Sequence, residues 1–152
     1  NTKSIIDFLN VAYPTQMGCF ENSPIGCPVV ERTVKGDVEA QTQIVRDIKN
    51  LINKEEIYPG SIVVLLNTAK EDSCLANTRE IAGLPLVSTY ERYDPDAKQI
   101  YYSTIEIFKG LEADVVMLVL ESDLLADEKA KTLYVQGSRA KHLLYVYHKI
   151  VN

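Results

Sequence analysis

The sequence predicts an α/β domain whose mostly parallel sheet is flanked by helices on both faces, and three observations predict it. Segments such as Ile62–Leu66 and Val115–Leu120 are apolar throughout rather than alternating, which is how strands buried on both faces read. Between such runs lie stretches whose apolar residues recur at the helical period. The chain has 152 residues and 46% apolar content, enough for one sizeable core and too little for two ordinary domains.

In chain order, Ile5, Phe8, Leu9 and Ala12 share one helical face and Pro14 ends the pattern, predicting an N-terminal helix over 1–13. Residues 14–28 are rich in Gly, Pro, Ser and Asn and predict a loop, which leaves a main body over 29–149. A β-branched run predicts a strand over 29–34. An amphipathic helix follows over 36–56, with Val38, Ile44, Val45, Ile48, Leu51 and Ile52 on its apolar face. The stretch "PGSIVVLLN" predicts a turn and a buried strand, and "DSCLANTREIAG" (72–83) a short helix closed by Gly83. "LPLVS" and "KQIYYSTI" predict two more strands, and Val115–Leu120 another. A helical stretch over 125–142, interrupted near Gly137, leads into a last strand, "LLYVY". There is no internal repeat and no low-complexity tract.

Composition excludes several classes of function. No apolar stretch approaches the roughly 20 residues that span a bilayer, and the N-terminus lacks a signal peptide's basic start and small-residue cleavage site. A soluble, cytoplasmic location is the expectation, and without an initiator methionine the chain is expected to be a piece of something longer. Cys19, Cys27 and Cys74 are odd in number and show no C-x-x-C spacing, so reduced thiols are expected rather than disulfides or a zinc ribbon. His142 and His148 form no ligand pair, and no metal site is expected. A net charge of -5 confines any nucleic-acid contact to a local patch. The acidic run Glu121–Glu128 reads as a solvated loop and first helical turn.

Two stretches look chemical. The first, "STIEIFKGLEADVVML" (103–118), crowds Lys109, Gly110 and Glu112 ahead of the most apolar run in the chain. The second is "YVQGSRAKHLLYV" (134–146). Taken singly, each has a structural explanation: Gly110 permits a tight turn, Lys109 and Glu112 are solvated loop charges, and Arg139 caps a helix C-terminus. Together and in this order they resemble the fifth and sixth motifs of the UvrD/Rep-like superfamily 1 DNA helicases. The matching residues are Thr104, Lys109, Gly110, Leu111 and Glu112, then Tyr134, Val135, Ser138, Arg139, Ala140 and Lys141. The opening "NTKSIIDFLN" is similar to the segment that begins the family's second motor lobe, and "EAQTQIVRDIKNLI", "PGSIVVLLNT" and "GLPLV" are similar to its helix, strand and following turn.

The resemblance implies a RecA-like three-layer lobe, one of two that clamp ATP in a cleft and grip single-stranded DNA across their tops. Glu112 would then contact the ribose, Gly110 would let the backbone approach, and Lys109 would join the ATP site. Arg139 would reach the γ-phosphate as an arginine finger, an element worth roughly 10³ to 10⁵ in rate in related phosphoryl transfer. Thr104 would face the DNA backbone. Glu106 stands where the family carries a DNA-contacting residue, and a carboxylate there repels phosphate; Asn67 likewise replaces a basic residue. No G-x-x-x-x-G-K-[ST] segment occurs, so the phosphate-cradling loop belongs to a first lobe outside this chain. ATP and Mg²⁺ are therefore expected in the intact enzyme and neither is expected on this chain alone, which should be monomeric and inactive by itself. The likeness suggests 3′ to 5′ translocation. Only "STYERYDPDAKQIYY" stands where many relatives insert an accessory domain. Two rivals remain: a helicase-derived module that binds a partner or nucleic acid without turnover, and an unrelated α/β nucleotide-binding domain in which Glu112 and Arg139 need not share an edge of the sheet.

Overall fold

The computed structural model describes residues 29–90, 92–108, 110–121, 128, 132, 137 and 139–150. The expected N-terminal helix and loop (1–28), most of the helical stretch 125–142, and Lys109 lie outside the described residues. Strands β1 (Val30–Lys35), β2 (Ile62–Leu66), β3 (Glu80–Ile81), β4 (Leu84–Ser88), β5 (Ile100–Thr104), β6 (Ala113–Leu120) and β7 (Ala140–Ile150), with helix α1 (Gly36–Asn53), make up the fold. The strands form one sheet in the order β1-β7-β6-β2-β5-β4-β3. All neighbours are parallel except β3 and β4. The architecture is thus α/β with a mostly parallel sheet.

The uniformly apolar runs became the central strands because only there are both faces covered. All five residues of β2 are buried, as are seven of eight in β6. On the first face Val64, Leu66, Met117, Val119 and Tyr147 pack under α1. On the second, Val63, Leu65, Val116, Leu118 and Val146 pack with Phe108 and Tyr93. Tyr101, Tyr145 and Tyr147 are buried, so these strand tyrosines serve the core.

Helix α1 starts directly from β1 through Gly36, at φ +70°. Asp37 and Glu39 in its first turn complement the helix dipole. Its buried face is Ala40, Ile44, Asp47, Ile48 and Leu51. Val38, expected on that face, is 83% exposed. At 100° per residue it lies roughly 135° round the helix from the buried stripe. The helix stops at Asn53, three residues earlier than expected, where Glu56 turns left-handed and the Ile57 N–H donates to the Leu51 carbonyl (2.9 Å). Asp47 ties the helix to the sheet. It accepts from Arg32 Nε (3.1 Å) and Nη2 (2.9 Å), from Gln43 (3.1 Å), and from the buried Tyr147 hydroxyl (2.8 Å).

Residues 72–83 do not form the expected helix. Ser73 diverts the backbone: its Oγ donates to the Lys70 carbonyl (2.7 Å) and accepts from the Leu75 N–H (3.1 Å). Gly83 closes a hairpin instead. Ile81 pairs with Leu84 across the two-residue turn Ala82–Gly83, with φ of +55° and +76°, the two positive values a type I′ turn requires. The last strand is also longer than expected, because residues 140–142, expected to be helical, already belong to β7, where Ala140 pairs with Ala113.

Candidate functional site

The connection from β5 to β6 places the first motif. In register, Thr104 pairs with Leu66, and Leu66 with Val119, so Thr104 lies near the carboxyl end of β6. The eight residues 105–112 must therefore cross the second face and return to the amino end of β6, held midway by the fully buried Phe108. The Phe108 N–H donates to the Thr104 carbonyl, and its own carbonyl accepts from the Leu111 N–H, both at 3.0 Å. Gly110 occupies the third position of that turn at φ +82°, a conformation glycine adopts without strain. The open space around its missing Cβ shows that backbone conformation, not crowding, selects glycine here. The polar cluster before the buried strand is therefore turn punctuation at Gly110, and it leaves Glu112 exposed on the amino rim of the sheet.

The second motif meets it there. Ala113 pairs with Ala140, and the Ala113 N–H donates to the Arg139 carbonyl (3.1 Å). Glu112 and Arg139 thus precede paired residues on adjacent strands and share one rim. The side-chain Nε of Arg139 is buried and has no hydrogen-bond partner among the described residues. A shift of register between Ala113 and Val115 puts one extra residue in β7, beside Asp114. There His142 Nε2 lies 3.7 Å from Asp114 Oδ1. Neither residue stood out in the sequence, because only the pairing of β6 with β7 brings them together. A cleft of ≈ 540 Å³ opens on this rim among Tyr58, Ser61, Asp96, Asp114, Val115 and His142.

Thr104 and Glu106 lie at the opposite, carboxyl edge. They line a cleft of ≈ 360 Å³ with Leu66, Asn67, Thr68 and Ala69. Glu106 is exposed. The common rule that ligands sit at the carboxyl ends of parallel strands therefore covers Thr104 and Glu106 but not Gly110, Glu112 and Arg139. Lys109 lies outside the described residues. Further along the carboxyl edge, Lys149 Nζ pairs with Asp37 (2.5 Å) and Glu121 (2.7 Å). Burial alone would lower the Lys149 pKa, but the hydrogen bonds to these two carboxylates outweigh it and raise it. Glu121, which ends the most apolar strand, is thus occupied as an ion-pair partner.

Residues 99–147 match the UvrD-like helicase C-terminal domain family. Comparison with curated proteins gave no match. Among solved structures the chain is similar to the C-terminal domain of a possible DNA helicase from Lactobacillus plantarum WCFS1, with a TM-score of 0.68 and 18% identity, over 97% of this chain and 84% of that one. At that identity the likeness speaks for the fold. Fold and matched segment point the same way: the stretch 99–147, which holds Thr104, Glu112 and Arg139, is similar to UvrD-like helicase C-terminal domains.

Proposed function

We propose that this domain is the second motor lobe of an ATP-dependent DNA helicase. It supplies Arg139 as arginine finger and Glu112 as ribose contact to an ATP site completed by a first lobe, and its Thr104 edge to the track of a single DNA strand. The observation that carries this reading is the Ala113–Ala140 pairing, which brings Glu112 and Arg139 to one rim. The buried, unpartnered Nε of Arg139 supports it. Leaving such a donor unsatisfied costs about 1–3 kcal/mol, and a phosphate carried in by the first lobe relieves that cost. Arginine suits the role because its planar fork stays charged and can pair with two phosphate oxygens as charge develops. Glu112, exposed beside it, accepts from a ribose hydroxyl, while Gly110 keeps the turn open to the nucleotide. Lys109 is assigned to the same site. ATP and Mg²⁺ supply the phosphoryl chemistry when bound, and the phosphate-cradling loop comes from the first lobe. Thr104 donates to a DNA phosphate on the opposite edge, so a rigid sheet separates the nucleotide rim from the DNA edge.

Kinetics of the two-lobe enzyme test this reading. R139K should lower kcat by roughly 10³ or more with little change in the KM for ATP. E112A should raise the KM for ATP roughly two- to tenfold with kcat unchanged, as for a contact made equally in ground and transition states. The purified chain alone should not turn over ATP. Rapid hydrolysis by the chain alone, or R139K at the wild-type rate, would overturn the assignment. The exposed Glu106 favours one second reading, a helicase-derived module without a tight grip on DNA. Unchanged DNA affinity in T104A would support that reading.

A further inference from the structure

We propose that Tyr93 is a positioning residue, the ring through which the segment 92–99 holds Phe108 and, with it, the Gly110–Glu112 rim. The segment connects the carboxyl end of β4 to the amino end of β5, and Tyr93 packs on the second face of the sheet. It is fastened at three points. The absence of a side chain at Gly60 lets the backbone of Pro95 and Ala97 come so close that a Cβ there would stand 2.5 Å from both carbonyl oxygens. The Tyr101 hydroxyl accepts from the Asp94 N–H (3.1 Å) and from the Gln99 side-chain amide (2.8 Å). The Tyr93 ring meets Tyr101 edge-on, with centroids 4.8 Å apart, and Phe108 at 6.1 Å and 70°. Both aromatic contacts fall in the favourable range for edge-to-face pairs.

Phe108 is the residue on which the rim depends. Its ring is fully buried, its N–H is bound to the Thr104 carbonyl, and its carbonyl closes the turn that contains Gly110. Five residues later the chain enters β6 at Ala113, which pairs with Ala140 beside Arg139. A ring that holds Phe108 therefore sets the height of Glu112 relative to Arg139 without touching either. Partial burial raises the Tyr93 phenol pKa, in keeping with a ring packed against the core of the second face. The consequence for nucleotide binding rests on the function proposed above; the mechanical coupling does not.

Hydrogen exchange on the chain, followed by ATP kinetics in the two-lobe enzyme, separates the two. In Y93A, exchange of the Leu111 amide should accelerate roughly two- to twelvefold, the equivalent of one lost aromatic pair, with the amides of Val116–Val119 unchanged. Y93F, which keeps the ring, should match wild type. If Y93A does not fold, Y93L, which keeps apolar bulk without the ring edge, carries the same test. Unchanged Leu111 exchange, or acceleration spread equally over β6, would overturn the proposal. In the two-lobe enzyme Y93A should raise the KM for ATP and leave kcat and the KM for DNA unchanged. If exchange accelerates at Leu111 while the KM for ATP stays at wild type, the coupling stands and the ribose role of Glu112 falls.

Discussion

Replacing Gly60 by alanine tests the packing that fastens the 92–99 segment to the sheet. The added methyl would stand 2.5 Å from the carbonyl oxygens of Pro95 and Ala97 and 2.8 Å from the Pro95 carbonyl carbon. Ordinary contact needs about 3.4 Å, so the two backbones must part by close to an ångström. The obstructing atoms are main chain, and the Tyr101 hydroxyl pins the segment on either side, so no side chain can rotate to relieve the contact. Overpacking of this kind costs about 1–3 kcal/mol. Loss of glycine's extra freedom in the unfolded chain returns about 0.4–1 kcal/mol, leaving a net loss of roughly 1–2 kcal/mol. For a chain of this length that lowers Tm by roughly 2–8 °C. Urea and thermal melts measure the loss, and exchange of the Ala97 amide, bound to the Asp94 carbonyl at 3.1 Å, reports whether the segment lifts. G36A is the control: Gly36 has φ +70° but open space around it, so its cost is conformational and should leave the Ala97 amide alone. A G60A loss under about 0.5 kcal/mol, or an undisturbed Ala97 amide, would refute the close-approach argument.

Two further outcomes follow from backbone strain and buried protons. Ala82 holds φ +55° in a type I′ position that asparagine and glycine favour. A82N should raise stability by about 0.5–1 kcal/mol in urea titrations, and no gain would sink the hairpin account. Burial pushes the Cys74 thiol up from 9.0 to about 12. Burial first, and then the Asp47 carboxylate, pushes the Tyr147 phenol up as well. The folded state keeps protons that the unfolded chain releases, so the stability they contribute is complete below about pH 9 and is lost as pH rises from there toward 12. The free energy of unfolding should fall above pH 9, and C74A should flatten the early part of that fall; a rise in stability over this range would contradict the burial of both groups.

Much of the fold was legible because local pattern and burial coincide in the central strands. A run such as Val115–Leu120 has no polar residue to offer water, so it could only be covered on both faces. The misreadings fall where tertiary contacts overrule local preference. Residues 72–83 carry helix formers and a closing glycine, yet Ser73 takes the local backbone bonds and Gly83 serves a hairpin. Val38 has the right chemistry for the apolar face of α1 but the wrong angle.

The motif residues could be picked out singly, since Lys109-Gly110-Leu111-Glu112 and Ser138-Arg139-Ala140-Lys141 are local strings whose residue types suit a nucleotide and its phosphates. Their meeting could not be read. Glu112 and Arg139 share a rim only because 105–112 recrosses the sheet under Phe108 and because β6 and β7 pair in parallel with Ala113 beside Ala140. The same crossing sends Thr104 to the opposite edge. Sequence by itself determined which segments would be buried strands and which residues were candidates for chemistry, because hydrophobic period and side-chain type are local properties. Tertiary structure alone decided which edge each residue occupies and what stands beside it, because strand order and register depend on contacts between segments far apart in the chain.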